Sequence, residues 1–213
     1  GFSFGVEKAY VLIIRGKLLG HWVGREGAKP DPERVQAIMD FAPIKEKLHV
    51  QQFLGCTNWL RAYLPAVYAN AAKVLGELQK DDAVFPQGGA GKGDSKYCKA
   101  MRAIQLMCKH HIEVAVLDEA AAIDGSRPLE QVADCSGIAW GGTCVQMSQD
   151  LTSLKVLMMV GKGLLPSQQA WPPLQLEGYA QLETKRAQKR TLGSFRSHCW
   201  TDHANWTKQT TTP

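Results

Sequence analysis

Three carboxylates on three separate stretches carry the most chemistry in this chain: Asp134 in Val132-Ala133-Asp134-Cys135-Ser136-Gly137, Glu177 after Leu176, and Asp202 in Thr201-Asp202-His203. Asp134 ends an apolar approach and enters a glycine-containing turn, Glu177 lies on a helical stretch, and Asp202 closes another apolar run. An aspartate at a strand end, a glutamate on a helix and a second aspartate ending another strand converge only in an α/β fold. Hard divalent cations such as Mg²⁺ or Mn²⁺ take oxygen ligands of this kind. Two such ions ~4 Å apart clamp the attacking and leaving oxygens of a phosphodiester. The other reading of the same residues is three ordinary surface acids among the 20 Asp and Glu of the chain.

The elements that must position these acids begin at Leu129. Residues 129–133, 138–147 and 154–160 read as three strands of an antiparallel meander, with Gly137 and Gly141-Gly142 permitting a tight turn and a close backbone approach. Trp171-Pro172-Pro173 introduces a helix over 174 to about 192, and 195–201 is a fourth strand ending at Asp202. The order βββαβ places the acids on the first strand, the helix and the last strand, where they can meet at one sheet edge. Lys185, Arg186, Lys189 and Arg190 recur at i, i+1, i+4 and i+5 of the helix and share one face. Such a face is either solvated or in contact with a nucleic-acid backbone.

Upstream, the apolar runs 10–14 and 18–23 flank Arg15-Gly16-Lys17 and predict a hairpin at the edge of a sheet whose remainder lies before Gly1. Asp31-Pro32-Glu33 then predicts a capped helix to about residue 40, with the proline at its first position. Val50, Phe53, Leu54, Thr57 and Leu60 recur at helical spacing, and 66–78 is a third helix with Val67, Ala71, Val74 and Leu78 on one side. The glycine-rich run Gln87 to Ser95 reads as a flexible linker. Its Gly91-Lys92 is not a phosphate loop, because the required earlier glycine falls on Pro86 and Gly93 stands where Ser or Thr is needed. Tyr97, Met101, Ile104 and Cys108 mark a further amphipathic helix.

A formal charge of +5 in 213 residues, with an isoelectric point near 8.9, favours a polyanionic partner without specifying sequence. The apolar fraction of 45% is that of a chain with a buried core, and no apolar run approaches the ~20 residues that span a bilayer. No signal peptide opens the chain, and no membrane partner is expected. Six cysteines at 56, 98, 108, 135, 144 and 199 contain no Cys-x-x-Cys pair, which fits reduced thiols in the cytoplasm or nucleus. Cys108 with His110-His111, and His198-Cys199 with His203, are zinc-ligand types without a second pair at finger spacing.

Together these stretches resemble the Pol polyprotein of gypsy-type LTR retrotransposons and, more distantly, of retroviruses. Leu18-Leu19-Gly20-His21 followed by Pro30-Asp31-Pro32-Glu33-Arg34-Val35 looks like the end of a reverse-transcriptase palm running into its thumb. The run from Phe53-Leu54-Gly55 through Asn58-Trp59-Leu60-Arg61 to Leu64-Pro65 is similar to the family's Phe-Leu-Gly…Asn-Tyr-x-Arg-x-Phe-Ile-Pro thumb motif. Asp134-Cys135-Ser136 resembles the Asp-Ala-Ser that opens the family's ribonuclease H domain, Thr201-Asp202-His203 matches its Thr-Asp-His, and Glu177, 25 residues before Asp202, falls on its glutamate. Cys135, Ala139 and Gly178-Tyr179 depart from the family pattern.

The resemblance implies an α+β or α/β chain: a helical thumb subdomain followed by an incomplete ribonuclease H-like mixed βββαβ sheet. Residues 1–28 would end the palm, 29–85 form the thumb, 86–96 the linker, and 97–213 a connecting helix with the ribonuclease H-like domain. It implies a piece of a longer protein whose Asp-Asp polymerase signature lies upstream and whose fourth metal ligand lies past Pro213. Asp134, Glu177 and Asp202 would hold two Mg²⁺ or Mn²⁺ ions that cleave RNA in an RNA–DNA hybrid, and Arg61 would be a thumb contact to phosphate. The partners implied are the hybrid and the remainder of the Pol polyprotein. On this basis residues 1–213 are expected to cleave weakly or not at all, and the alternative is a non-catalytic nucleic-acid-binding or structural remnant.

Overall fold

The computed structural model describes residues 14–202. Its first sheet is antiparallel, in the order β1 (Arg15–Leu18), β2 (His21–Gly24), β3 (Gly27–Pro30), β4 (Val114–Ala115). Arg15-Gly16-Lys17, expected as the hairpin turn, lies inside β1. The turn falls instead on Leu19 (φ 49°) and Gly20 (φ 82°). Two central residues at positive φ make the turn whose twist matches that of paired strands, and a leucine in that position gives no sequence signal. The expected partner strand at 10–14 falls almost wholly outside the described residues.

A helical body follows. In α1 (Pro32–Met39), Asp31 caps the helix by accepting from Glu33 N (3.3 Å), with Pro32 in the first turn as expected. α2 (Lys47–Trp59) buries Val50, Phe53 and Thr57, a turn of 3₁₀ helix spans Arg61–Tyr63, and α3 (Tyr68–Gly76) continues into a second 3₁₀ turn, Glu77–Gln79. α3 turns Tyr68 and Leu75 to the core, with Ala71, Val74 and, in the following 3₁₀ turn, Leu78 packed there as expected, while Val67, just before the helix, is exposed. α4 (Lys96–Lys109) is capped by Ser95, which accepts from Cys98 N (3.2 Å). Met101, Ile104 and Cys108 of α4 pack into the same core as Phe53, Leu60 and Leu75, so α4 is part of the helical body rather than of the later sheet.

The glycine-rich stretch before α4, expected as a flexible linker, is exposed at Gln87, Gly88 and residues 92–94 but packed in its middle, at residues 89–91. Ala90 is fully buried and exchanges two backbone hydrogen bonds with Ile44, both 2.7 Å. Gly91 sits at φ 118°, where a Cβ would stand 3.1 Å from Met101 Sδ. Here glycine provides close approach and an unusual backbone angle.

The second sheet holds the expected βββαβ order. β5 (Leu129–Cys135), β6 (Ala139–Met147) and β7 (Leu154–Gly163) form the meander, α6 (Pro173–Thr191) crosses over, and β8 (Ser197–Trp200) pairs parallel to β5, giving the order β7-β6-β5-β8. A short helix, α5 (Glu119–Asp124), precedes β5. Leu129, Gln131 and Ala133 are buried while Val132 and Asp134 are exposed, the alternation of a strand with one face covered. Trp140 of β6 meets Tyr179 of α6 edge-on at 6.1 Å, and Tyr179 meets Trp171 likewise at 5.5 Å.

The two bodies touch along β6 and β7. A Cβ on Gly141 would overlap that of Ala66, and one on Gly161 would lie 2.7 Å from Arg61 Nη2. Arg61 donates to the carbonyls of Leu64 (2.8 Å) and Gly161 (3.2 Å), and its guanidinium lies 5.3 Å from the Tyr68 ring centroid. No described helix is long and apolar enough to cross a membrane.

Candidate active site

Parallel pairing of β5 with β8 sets two of the acids side by side. Val132 pairs with Trp200, so Asp134 lies two residues further along β5 and Asp202 two residues past the end of β8. Asp134 is exposed and its Oδ1 accepts from the following backbone N–H of Cys135 (2.7 Å). The turn beyond it is closed by Ser136, whose hydroxyl donates to Ala139 O (2.9 Å) and accepts from Ala139 N (3.1 Å). Glu177 comes from the N-terminal part of α6, only 9% exposed, and its Oε2 has no hydrogen-bond partner among the described residues.

Electrostatics ties the three together. Burial raises the pKa of Glu177, and repulsion from Asp134 and then Asp202 raises it further, against a lowering contribution from the Cys135 backbone. The Cys135 thiol is pushed up to about 11 by burial, then by Glu177 and Asp134. An all-oxygen donor set with an unpartnered buried carboxylate oxygen and mutually repelling neighbours has the chemistry of a hard-cation site. The approach is loose, however: among the described residues no three His, Cys, Asp or Glu side chains stand close enough to hold a single ion.

Beside Asp134 opens a cleft of about 190 Å³, walled by Asp134, Ser136, Ala139, Trp140 and Gly141 on one side and Ala66, Val67 and Asn70 of the helical body on the other. Asn70 was not singled out from sequence, where an isolated asparagine within a helix carries no signal.

The cations expected to meet nucleic acid are placed variously. Arg61 is held against backbone carbonyls at the seam between the bodies, which makes it a structural bolt. Lys185 Nζ donates to Ser197 Oγ (2.7 Å), Phe195 O and Gln188 Oε1 (both 3.1 Å), fastening α6 to the approach of β8. Arg186 pairs with Glu183 at 2.5 Å. Lys189 and Arg190 are exposed in the last turn of α6. Lys185, Arg186 and Lys189 line one groove of about 270 Å³ with Leu182 and Phe195, and Arg190 lies outside it.

No protein-family model matches the chain. Residues of the chain are 33% identical over 75 positions to the retrovirus-related Pol polyprotein from transposon opus of Drosophila melanogaster, covering 35% of this chain and 7% of that protein. A second Drosophila melanogaster protein, the retrovirus-related Pol polyprotein from transposon 297, is 38% identical over 71 residues, covering 33% of this chain and 6% of its own length. Over about a third of its length the chain is thus similar to the Pol polyproteins of retroelements. It spans less than a tenth of the Pol proteins it matches. Similarity of fold extends over nearly all of the chain. The foamy viral protease-reverse transcriptase dRH in complex with ds DNA matches 97% of it and 34% of that chain, with a TM-score of 0.70 at 15% identity. The foamy viral protease-reverse transcriptase in complex with RNA/DNA hybrid matches 97% of it and 26% of that chain, with a TM-score of 0.68 at 15% identity. The mixed sheet is thus ribonuclease H-like in fold.

Proposed function

We propose that this chain is the thumb and ribonuclease H-like part of a retroelement Pol protein, and that its acid site serves divalent-cation-dependent cleavage of the RNA strand in RNA–DNA hybrids. The observation that carries the reading is Glu177, a carboxyl with an unpartnered oxygen whose proton affinity is raised first by burial and then by Asp134 and Asp202. Asp134, Glu177 and Asp202 would hold Mg²⁺ or Mn²⁺, which when bound supplies Lewis-acid activation of water and of the leaving oxygen. Asp134 is fixed by its hydrogen bond from Cys135 N and by the Ser136-closed turn. Glu177 is oriented by the start of α6. Fold neighbours in complex with double-stranded DNA and with RNA/DNA hybrid support nucleic acid as the partner. In the intact parent, RNA-templated DNA synthesis would precede the cleavage.

A non-catalytic nucleic-acid-binding role is the second reading, favoured by the spacing of the three acids, which leaves no three in reach of one ion. Cleavage and binding of a labelled hybrid, with Mg²⁺ or Mn²⁺ and with EDTA, separate the two. A nuclease loses metal-dependent cleavage in Asp134→Asn. A passive binder cleaves nothing and holds the hybrid more tightly once that negative charge is gone.

A further inference from the structure

The groove beside α6 is a second place where charge collects, and it lies apart from the acids. Lys185 and Lys189 stand eight and twelve residues beyond Glu177 on one continuous helix, about 12 and 18 Å along it at ~1.5 Å per residue. Leu182, Lys185, Arg186 and Lys189 supply the helical side of the groove, and Gly193, Ser194 and Phe195 the other. Lys185 is half-buried, and its ammonium directs all three protons to uncharged acceptors, Ser197 Oγ, Phe195 O and Gln188 Oε1. Those bonds hold the charge in place without offsetting it. Lys189 is exposed and enters no ion pair among the described residues. Only Arg186 is paired, with Glu183. Three cations against one carboxylate attract an anion. Leu182, 48% exposed, and Phe195 add apolar surface to the same lining. A volume of about 270 Å³ lies at the small end for ligand pockets, with room for one nucleotide and too little for a helix or a duplex.

We propose that this groove holds one unpaired nucleotide of an RNA or DNA strand, its phosphate drawn to Lys189 and to the fixed charge of Lys185, its base or sugar lying against Phe195 and Leu182. An unpaired base presents a π-face that aromatic side chains accept in any sequence, while cations follow the phosphates. The inference rests on nucleic acid as the partner and goes beyond that reading by placing a second site, one that requires no metal, toward the opposite end of α6 from Glu177. Arg190 carries the same charge one residue along the helix and lies outside the groove, so the site divides a cationic face that the sequence presents as uniform.

Fluorescence anisotropy of end-labelled hexamers of uridylate and of thymidylate, mixed with the whole chain in EDTA over a range of salt, tests this without any turnover. Both strands are expected to bind, with affinity falling as salt rises. Lys189→Gln is expected to weaken binding roughly 5-fold at low salt and to lower the salt slope by about 0.7, the value for one phosphate contact on a single strand. Arg190→Gln removes an equal charge and should change affinity and slope far less. Phe195→Leu, close in size, should weaken binding on the order of 10-fold at an unchanged slope. Leu182→Glu, at an exposed position that keeps the fold even where the Phe195 variant does not, should weaken it at least as much. Equal losses in Lys189→Gln and Arg190→Gln would mark a diffuse charged surface and overturn the groove. Full affinity in Phe195→Leu, or poly-glutamate displacing the hexamers as readily as an unlabelled strand does, would overturn it too. A parent chain that binds an RNA–DNA hybrid but neither hexamer removes the groove and leaves nucleic acid as the partner. If neither hexamer nor hybrid binds, that reading falls and this inference with it.

Discussion

Glu177 is a carboxyl nearly out of water, with one oxygen unpaired and two acids for neighbours, and its folded-state pKa is raised above the ordinary glutamate value. The folded chain therefore holds this proton more tightly than the unfolded one. Across the window from the ordinary value up to the raised one, stability falls as pH rises, and below that window the full contribution is present. Glu177→Gln removes the effect. At pH 7 without metal the variant is expected to melt roughly 2–4 °C higher, the shift that ~1 kcal/mol gives a chain of this size. The gap should close as pH falls to 4, and added Mn²⁺ should shrink it at pH 7 by stabilising only the parent. A gap independent of pH would show that the Glu177 charge is not strained. The three acids were legible from sequence because each sits in a recognisable run. Their environment was not, since burial of Glu177 arises from contacts between distant elements.

At the scale of elements, the second sheet was read almost strand for strand. Alternating burial, the Trp171-Pro172-Pro173 entry and the glycine turn are local signals, and local signals suffice for a meander and a capped helix. The two misreadings are equally instructive. The β1–β2 turn was missed because Leu19 takes positive φ, and the stretch before α4 because composition does not separate a glycine that confers freedom from one that allows contact. Gly91→Val distinguishes these uses. At φ 118° and against Met101, the substitution is expected to cost about 1–3 kcal/mol, seen as a lower urea midpoint with an unchanged slope. A flexible linker would show no change.

For the whole molecule, the seam between the two bodies matters more than either alone. Small residues let the segment leading into α3, at Ala66, settle onto β6 and β7, and Arg61 fastens the contact by reaching Gly161 O. Arg61→Met leaves those carbonyls without their donor and is expected to destabilise by about 1–3 kcal/mol. Calorimetry should show the single transition of the parent separating into two. The salt dependence of hybrid binding should stay as it is, whereas loss of a phosphate contact would lower its slope by about one. A lowered slope with an intact single transition would return Arg61 to the role first expected of it.

β8 has a further consequence. It stands last in its sheet, pairs with β5 alone among the described strands, and exposes His198, Cys199 and Trp200. Among the described residues no strand covers its outer edge, although Gln181 already donates to the Trp200 carbonyl, and such an edge beside an exposed tryptophan is a template for a second molecule. Residues 1–213 on their own should thus grow turbid as they are concentrated, by strand addition at β8. A proline in place of Cys199, which would interrupt such stacking, should raise the concentration at which this begins.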